Sequence, residues 1–168
     1  MTVKNISMIV DVDNENGIGY RNKLLCHISE DLKYFKKMTH GKAIVMGLNT
    51  FLSLPKAPLP NRINIVLTTK TAGFADPNII VMHSIESVIK WAEANPEIEV
   101  MICGGASVYE QFMEYASKLY VTHIAHTFQA DTFFPGFDDW EPVWVQADRE
   151  NLKHQYPHIF TIYEKIQE

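Results

Sequence analysis

The chain of 168 residues has the size of one domain, which is large enough to bury a hydrophobic core without disulfides or a structural metal. Its 15 Lys and Arg against 20 Asp and Glu give a formal charge of −5, which argues against nucleic acid or an anionic membrane as a partner. Two cysteines form neither a disulfide framework nor a zinc motif, and we expect no metal site. No segment has the pattern of a signal peptide or a bilayer-spanning helix, so we expect a cytoplasmic protein.

Short β-branched runs alternate with helical patterns throughout residues 1–168, which predicts a single α/β domain. Several runs are continuously apolar, as is typical of strands that are covered on both faces of a parallel sheet. Short connections between these elements favour right-handed βαβ units, and therefore a central, mostly parallel, twisted sheet with helices on both faces. The predicted strands are Ile6–Val12, Ala43–Met46, Asn64–Leu67, Ile79–Met82, Val100–Cys103, Leu119–Ile124 and Phe160–Tyr163.

The first predicted helix covers Glu30–Met38, with Ser29 as its N-cap and with Leu32 and Phe35 facing inward. Asp31 lies beside that apolar face, where a partly desolvated carboxylate could hold a proton or hydrogen-bond a ring. A solvated carboxylate in the first turn, favoured by the helix dipole, is the commoner arrangement. The preceding glutamate is the better candidate for that solvated role, which leaves Asp31 free to face inward.

Two further helices are predicted. Ser84 can cap a helix over Ile85–Ala94, whose apolar residues recur at helical spacing. Another helix follows Gly104-Gly105 and continues through Phe112. Adjacent glycines let the backbone approach a ligand closely, and a helix N-terminus offers free N–H groups to an anion. A glycine pair alone is a weak signal, because many such pairs only turn the chain.

The segment around Gly47 has the same order of strand, glycine and helix start. Asn49 or Thr50 could cap that helix or contact a phosphate. Two helix starts of this kind would suit the pyrophosphate of a dinucleotide, whereas either one alone can be plain capping.

Arg62 follows a turn that Pro58, Pro60 and Asn61 fix, just before a predicted strand. Its planar guanidinium can bind a carboxylate through two parallel hydrogen bonds. A surface arginine without such a partner is the commoner case.

In their order and spacing these segments closely resemble dihydrofolate reductases of the bacterial chromosomal type, over nearly the whole chain. The resemblance implies NADPH-dependent reduction of 7,8-dihydrofolate to 5,6,7,8-tetrahydrofolate in one-carbon metabolism, with hydride added at C6 and a proton at N5. It also implies a monomer that binds antifolate inhibitors, and a sheet of about eight strands with an antiparallel C-terminal strand. The matching stretches are Ile9-Val10, Asn16–Gly19, Asp31-Leu32, Tyr34–Lys37, Val45–Gly47, Thr50-Phe51, Pro58–Arg62, Asn64–Leu67, Gly104-Gly105, Val108-Tyr109, Leu119–Ile124 and Asp131–Pro135.

The resemblance also implies roles for individual residues. Asp31 is the single ionisable group of the pterin pocket, where it binds the 2-amino group and N3 and favours protonation at N5. Thr122 hydrogen-bonds Asp31, and Arg62 clamps the α-carboxylate of the substrate's glutamate. The other substrate-binding residues are Ile9, Val10, Leu32, Phe35 and Leu54.

On the cofactor side, the resemblance places Tyr109 among the catalytic residues, beside Gly104-Gly105 and the nicotinamide. Asp131 belongs to a loop that supports the closed position of a mobile loop. The remaining implied cofactor residues are Ile18, Gly19, Gly47, Asn49, Thr50, Thr68, Thr69, Cys103, Ala106, Ser107 and Val108.

Two departures from the family pattern concern the substrate side. The family usually has Pro-Trp where this chain has Leu25-Cys26, and we expect Cys26 to act as a small hydrophobic residue rather than a nucleophile. The family usually has a small alanine where this chain has Asp11. An unpaired carboxylate in that strand would cost stability, so we expect Asp11 to find a partner or a water molecule.

A third departure concerns the cofactor. Family members usually carry basic residues at the positions of Leu48 and Asn49, and often at Ser107. Each charge-assisted bond to a phosphate contributes roughly 1.5–3 kcal/mol, so the preference for NADPH should be reduced and NADH becomes possible, unless Lys70 substitutes. Two alternatives to the reductase remain: a related pterin or pyrimidine reductase, and a cofactor- or pterin-binding protein with little activity.

Overall fold

The computed structural model describes residues 1–70 and 76–166, and an eight-stranded sheet forms its centre. The strands are β1 (Ile6–Val12), β3 (Ala43–Gly47), β4 (Ile63–Leu67), β5 (Ile79–Met82), β6 (Val100–Ile102), β7 (Lys118–Ile124), β9 (Trp140–Gln146) and β10 (His158–Lys165). Their order is β5-β4-β3-β6-β1-β7-β10-β9, and β10 runs antiparallel to both of its neighbours while the other pairs are parallel. Two short strands, β2 (Gly17–Gly19) and β8 (Thr132–Phe133), pair with each other outside this sheet. The predicted mostly parallel sheet with an antiparallel C-terminal strand is confirmed.

Helices cover both faces of the sheet, as the sequence predicts. They are α1 (Ser29–Thr39), α2 (Leu48–Ser53), α3 (Ile85–Ala94), α4 (Ala106–Phe112) and α5 (Arg149–Leu152). One apolar cluster packs α3 and α4 against the sheet, and a second cluster joins α1 and α2 to it. None of the helices described is long and apolar enough to cross a membrane.

The start of α1 differs from the prediction. Ser29 lies inside the helix, and Ile28 is the N-cap without a side-chain hydrogen bond. Leu32 is 47% exposed rather than inward-facing. Tyr34 instead turns toward the sheet and stacks on Phe160 of β10, with ring centroids 3.9 Å apart. Because each helical residue advances by about 100°, burial of residue 34 places residue 32 on the opposite side of the helix.

The starts of α3 and α4 agree with the sequence, and at α2 the structure excludes one of the two roles considered for Asn49 and Thr50. Ser84 caps α3 by accepting a hydrogen bond from the N–H of Ser87 at 3.1 Å, and α4 begins directly after the glycine pair. The N-cap of α2 is Gly47, with no side-chain bond, so Asn49 and Thr50 are not caps and lie within the helix. Since the helix begins at Leu48, both side chains come too late to reach the first free N–H groups.

Strand β1 lies in the middle of the sheet and positions the site. Alternate residues point to opposite faces, so Val10 joins the cluster beneath α3 and α4, whereas Ile9 joins the cluster beneath α1. Asp11 therefore shares the α1 face with Ile9. In the parallel pairing of β1 with β7, Asp11 lies opposite Thr122.

Candidate active site

Asp31 and Thr122 meet beneath the first turn of α1, as predicted. Asp31 is 7% exposed and Thr122 is 2% exposed. The Thr122 hydroxyl donates a hydrogen bond to Asp31 Oδ1 at 2.8 Å. Asp31 is also near the N-terminus of an eleven-residue helix, where the free N–H groups stabilise negative charge. The site thus holds a buried carboxylate in a fixed orientation.

A second carboxyl group lies in the same pocket, where the resemblance implies Asp31 alone. Asp11 lies opposite Thr122 in the β1–β7 pairing, and its side chain is close enough to Asp31 and Thr122 for both to influence its ionisation. Burial raises the pKa of Asp11 well above its usual value, and the charge of Asp31 raises it further. The expected partner of Asp11 is therefore another acid and a hydroxyl group.

Cys26 faces this pair of carboxyl groups from the segment before α1. Burial, with the negative charges of Asp11 and then Asp31, raises the pKa of the Cys26 thiol to about 11. The thiol is therefore neutral at physiological pH, which agrees with a small hydrophobic residue and not with a nucleophile.

The apolar residues predicted for the substrate divide between the two faces of the sheet. Phe35 and Leu54 pack on the same cluster as Ile9, next to Asp31. Leu32 presents an exposed side chain on α1. The side chain of Val10 points to the opposite face, so the structure does not bring it together with the others.

Arg62 is fixed at the C-terminal end of α1. Its Nε donates to the carbonyl of Pro60 at 2.9 Å, and its Nη1 donates to Thr39 Oγ1 at 3.1 Å. The Thr39 hydroxyl in turn donates to the carbonyl of Phe35 at 2.7 Å. Partial burial lowers the pKa of Arg62 from its usual value. Two of its donors are thus used to orient the guanidinium, while Nη2 has no hydrogen-bond partner in the described residues and is available to a ligand.

A cavity of about 700 Å³ lies at the carboxyl ends of β3, β4 and β6. Open parallel sheets bind their ligands at this edge. Most of the residues predicted for the cofactor line it: Ile18, Gly19, Gly47, Asn49, Thr50, Thr68, Thr69, Gly105, Ala106, Ser107 and Val108.

Cys103, Gly104 and Tyr109 do not line this cavity. Tyr109 is buried, and its hydroxyl donates to the carbonyl of Ile9 at 2.7 Å. Gly104 has φ +114, and a Cβ at that position would lie 3.2–3.3 Å from the Tyr109 ring. Only glycine suits this backbone conformation beside a packed ring. Tyr109 therefore fixes the glycine turn to β1 from behind the cavity wall.

Sequence reasoning missed several other lining residues of the cavity, including Lys23, His83 and Gln111. Lys23 belongs to no recognisable motif, and His83 precedes Ser84, whose predicted role is only to cap a helix. Among the described lining residues, Lys23 and Lys70 are the permanently cationic ones. Leu48, Asn49 and Ser107 line the cavity without charge, as the sequence indicated.

Asp13 holds the segment that carries Ile18 and Gly19. It is 4% exposed and accepts hydrogen bonds from the N–H groups of Glu15 at 2.9 Å, Gly17 at 2.7 Å and Phe128 at 3.0 Å. A Cβ on Gly17 would come within 2.9 Å of both Asp13 oxygens, so a glycine is required for this close approach.

Asp131 ties the next part of this segment to β8. It accepts a hydrogen bond from the N–H of Arg21 at 3.0 Å, and its own N–H donates to the carbonyl of Gly19 at 3.0 Å. These contacts are in keeping with the predicted supporting role of Asp131. The segment from Gly17 to Arg21 is thus fixed at both ends to the chain that follows β7.

Comparison with known proteins agrees with this geometry. The sequence model described as dihydrofolate reductase matches residues 5–165. A dihydrofolate reductase of Staphylococcus haemolyticus is 43% identical over 164 residues, with 96% of each chain covered, and one of Bacillus subtilis is 39% identical over 162 residues, with 95% of this chain and 94% of the relative covered. The dihydrofolate reductase of Enterococcus faecalis, solved with NADP(H) and RAB-propyl, has a TM-score of 0.84 and 34% identity, covering 96% of each chain. The chain therefore belongs to the dihydrofolate reductase family.

Proposed function

We propose that this chain reduces 7,8-dihydrofolate to 5,6,7,8-tetrahydrofolate with NADPH, adding hydride at C6 and a proton at N5. The observation that carries the proposal is the buried Asp31 carboxylate, which Thr122 orients at 2.8 Å within a dihydrofolate reductase fold. A cavity of about 700 Å³ at the carboxyl edge of the same sheet is proposed to hold the hydride donor.

The chemistry at the pterin depends on Asp31. Its carboxylate accepts hydrogen bonds from the 2-amino group and N3 of the pterin, and these bonds are strong because one partner is charged. Thr122 holds Asp31 Oδ1, which limits the directions in which the remaining lone pairs point. Negative charge in a site that excludes water favours the N5-protonated form of the ring, which accepts hydride more readily than the neutral form.

The apolar part of the substrate is proposed to lie against Phe35 and Leu54, which pack beside Ile9. Arg62 receives the α-carboxylate of the glutamate tail with the donor that Pro60 and Thr39 do not use. Because α1 carries Asp31 near its start and Thr39 at its end, one rigid element positions both ends of the substrate site.

The residues of the 700 Å³ cavity suit a dinucleotide. Gly47 and Gly105 line the cavity at the helix starts and present backbone without a side chain to a ligand. We propose that Thr50, Thr68, Thr69 and Ser107 bind phosphate and ribose oxygens there. When bound, NADPH supplies the hydride, and this chain's residues orient it toward the pterin and exclude water.

Oxidation of NADPH in the presence and absence of dihydrofolate tests this function. We expect substrate-dependent turnover by the wild-type chain and its near loss in Asp31→Asn at neutral pH, because the neutral amide cannot stabilise a protonated ring. Asp138→Asn, an exposed carboxylate outside the site, is the matched control and should retain turnover. Absence of turnover by the wild-type chain would favour a binding protein with little activity.

We further propose a relaxed choice between NADPH and NADH. Lys23 and Lys70 are the permanent cations of the cavity in the described residues, while Leu48, Asn49 and Ser107 offer no charge to a 2′-phosphate. The ratio of kcat/KM for NADPH to that for NADH should therefore be smaller than in a Leu48→Arg variant. Equal ratios in the two proteins would show that Lys70 already supplies the missing charge.

We also propose that the chain acts in the cytoplasm as a monomer. Its formal charge of −5 supports this assignment, since net charge disfavours self-association. Light scattering at several protein concentrations tests the monomer, and cell fractionation tests the location.

A further inference from the structure

Asp11 belongs to the substrate pocket through its place in the sheet. Residues opposite each other in the parallel pair β1–β7 point to the same face, and Asp11 is opposite Thr122. Thr122 donates to Asp31 Oδ1, so the three side chains form one cluster between β1, β7 and α1. We call Asp11 and Asp31 the carboxyl pair, and the Thr122 hydroxyl belongs to the same cluster.

Hydrogen counting favours one further proton in the carboxyl pair. The Thr122 hydroxyl has one hydrogen, and it is donated to Asp31. If both carboxyl groups were ionised, each would have only hydrogen-bond acceptors, and neither could donate to the other. One proton on Asp11 makes it a donor to Asp31, and two adjacent acids in a site of low polarity share a proton in this way.

The surroundings of Asp11 favour a proton on its side chain. Asp31 is in the first turn of α1, where the helix N–H groups stabilise its negative charge. Asp11 is in the middle of a strand. Its neighbours that bear on its charge are Asp31 from α1 and Thr122 from β7, with the neutral thiol of Cys26 and the hydroxyl of Tyr109 nearby. Within the described residues, none of the groups that shift its pKa is a cation.

Glu99 provides a contrast within the same chain. It is also largely withdrawn from water, but Lys42 lies 2.6 Å away, and the hydroxyls of Ser7 and Tyr120 donate to it at 2.7 and 2.8 Å. Burial raises the pKa of Glu99, but these hydrogen bonds and the Lys42 charge outweigh burial and lower it. A carboxylate with such donors stays ionised, whereas no cation lies beside Asp11 in the described residues and the nearby Thr122 hydroxyl donates to Asp31 instead.

We propose that Asp11 is a protonated positioning residue of the reaction, which donates a hydrogen bond to Asp31 and keeps the carboxyl pair at a single negative charge. This inference rests on the proposed function. When pH rises far enough to remove the proton from Asp11, two carboxylates face each other and repel, and Asp31 loses the orientation that the pterin requires. The proton that reaches N5 comes from solvent, and Asp11 is not consumed.

Kinetics of Asp11→Asn and Asp11→Ala test this positioning role. The asparagine amide donates as a protonated acid does but cannot ionise, whereas alanine removes the donor. We expect Asp11→Ala to lower kcat/KM for dihydrofolate about 10-fold at neutral pH, and Asp11→Asn to lower it about 3-fold or less. The ratio of Asp11→Asn to wild-type kcat/KM should rise as pH increases, because only the wild-type pair acquires a second charge. A ratio that is constant with pH would overturn the proposal.

Carbon-13 NMR of aspartate-labelled protein tests the protonation state without turnover. We expect one buried carboxyl of the wild-type chain to remain protonated at neutral pH, and that signal to be missing from both variants. Folding of each variant is checked by thermal unfolding of the same samples. If Asp11 is ionised at neutral pH the inference fails, whether or not the chain reduces dihydrofolate. If the chain shows no turnover, the proposed function fails while the NMR result still decides the protonation state.

Discussion

Replacing Asp13 with alanine removes the acceptor that holds the segment carrying Ile18 and Gly19. Three N–H groups lose their partner, those of Glu15, Gly17 and Phe128, at 2.7–3.0 Å in the native chain. A hydrogen bond to a charged acceptor contributes about 1.5–3 kcal/mol, and part of each loss is recovered from water, so we expect a cost of about 3–6 kcal/mol. That is a large share of the roughly 5–15 kcal/mol by which domains are stable.

Asparagine at position 13 removes the charge of the Asp13 side chain but keeps its shape. Its amide oxygen can replace Oδ1, which receives two of the bonds, but its NH2 group faces the N–H of Phe128. We therefore expect Asp13→Asn to cost about 1.5–3 kcal/mol, less than alanine. Urea unfolding gives both values, and the KM for NADPH should rise in the same order because Ile18 and Gly19 line the cavity. Wild-type stability in Asp13→Ala, or an equal loss in both variants, would refute this reasoning.

Further predictions concern charge and pH. Asp31→Asn should lose most of its kcat/KM at neutral pH and recover part of it in acid, where the substrate arrives protonated; a pH profile identical to wild type would contradict the assignment. Arg62→Leu should weaken dihydrofolate binding about 10–100-fold and leave NADPH binding nearly unchanged, as titration of each ligand would show, whereas equal losses would make Arg62 structural. Lys70→Ala should lower the NADPH-to-NADH ratio of kcat/KM, and an unchanged ratio would remove Lys70 from the cofactor site. The raised pKa of Asp11 favours the folded state fully below its unfolded value near 3.8, and this contribution is lost as pH rises toward the folded value. Asp11→Asn should therefore gain in free energy of unfolding relative to wild type as pH increases, as measured by urea unfolding across that range; a constant difference would place the Asp11 pKa at its ordinary value.

Elements with a strong hydrophobic period could be predicted from the sequence. The apolar runs Ile6–Val12 and Ile79–Met82 are strands with the predicted bounds, because short runs rich in β-branched residues favour an extended backbone. Strand β9 was missed because it is an edge strand that is exposed along most of its length and contains Pro142. The short pair β2–β8 was missed because tertiary contacts, above all Asp13 with Gly17, form it rather than any local pattern.

The site could be predicted from the sequence only in part. The resemblance supplied Asp31, Thr122 and the residues around the cavity, but the inward direction assigned to Leu32 is wrong, since Tyr34 takes the buried position. The meeting of Asp11 with Asp31 depends on the register between β1 and β7, which no single strand encodes. Pairs of residues that are far apart in the chain become neighbours only through such pairings.

Helix α1 determines the spacing between the two proposed charged contacts of the substrate. Asp31 and Thr39 are eight residues apart, and a rise of about 1.5 Å per residue separates them by about 12 Å along a stiff rod. Since Thr39 orients Arg62 together with the carbonyl of Pro60, the hydrogen bonds of the helix contribute to the distance between the two proposed charged contacts of the substrate. Insertion of one residue into α1 would lengthen this distance by about 1.5 Å and rotate one contact by about 100° relative to the other. The number of residues between positions 31 and 39 of α1 thus helps to determine which ligand length can reach both proposed contacts.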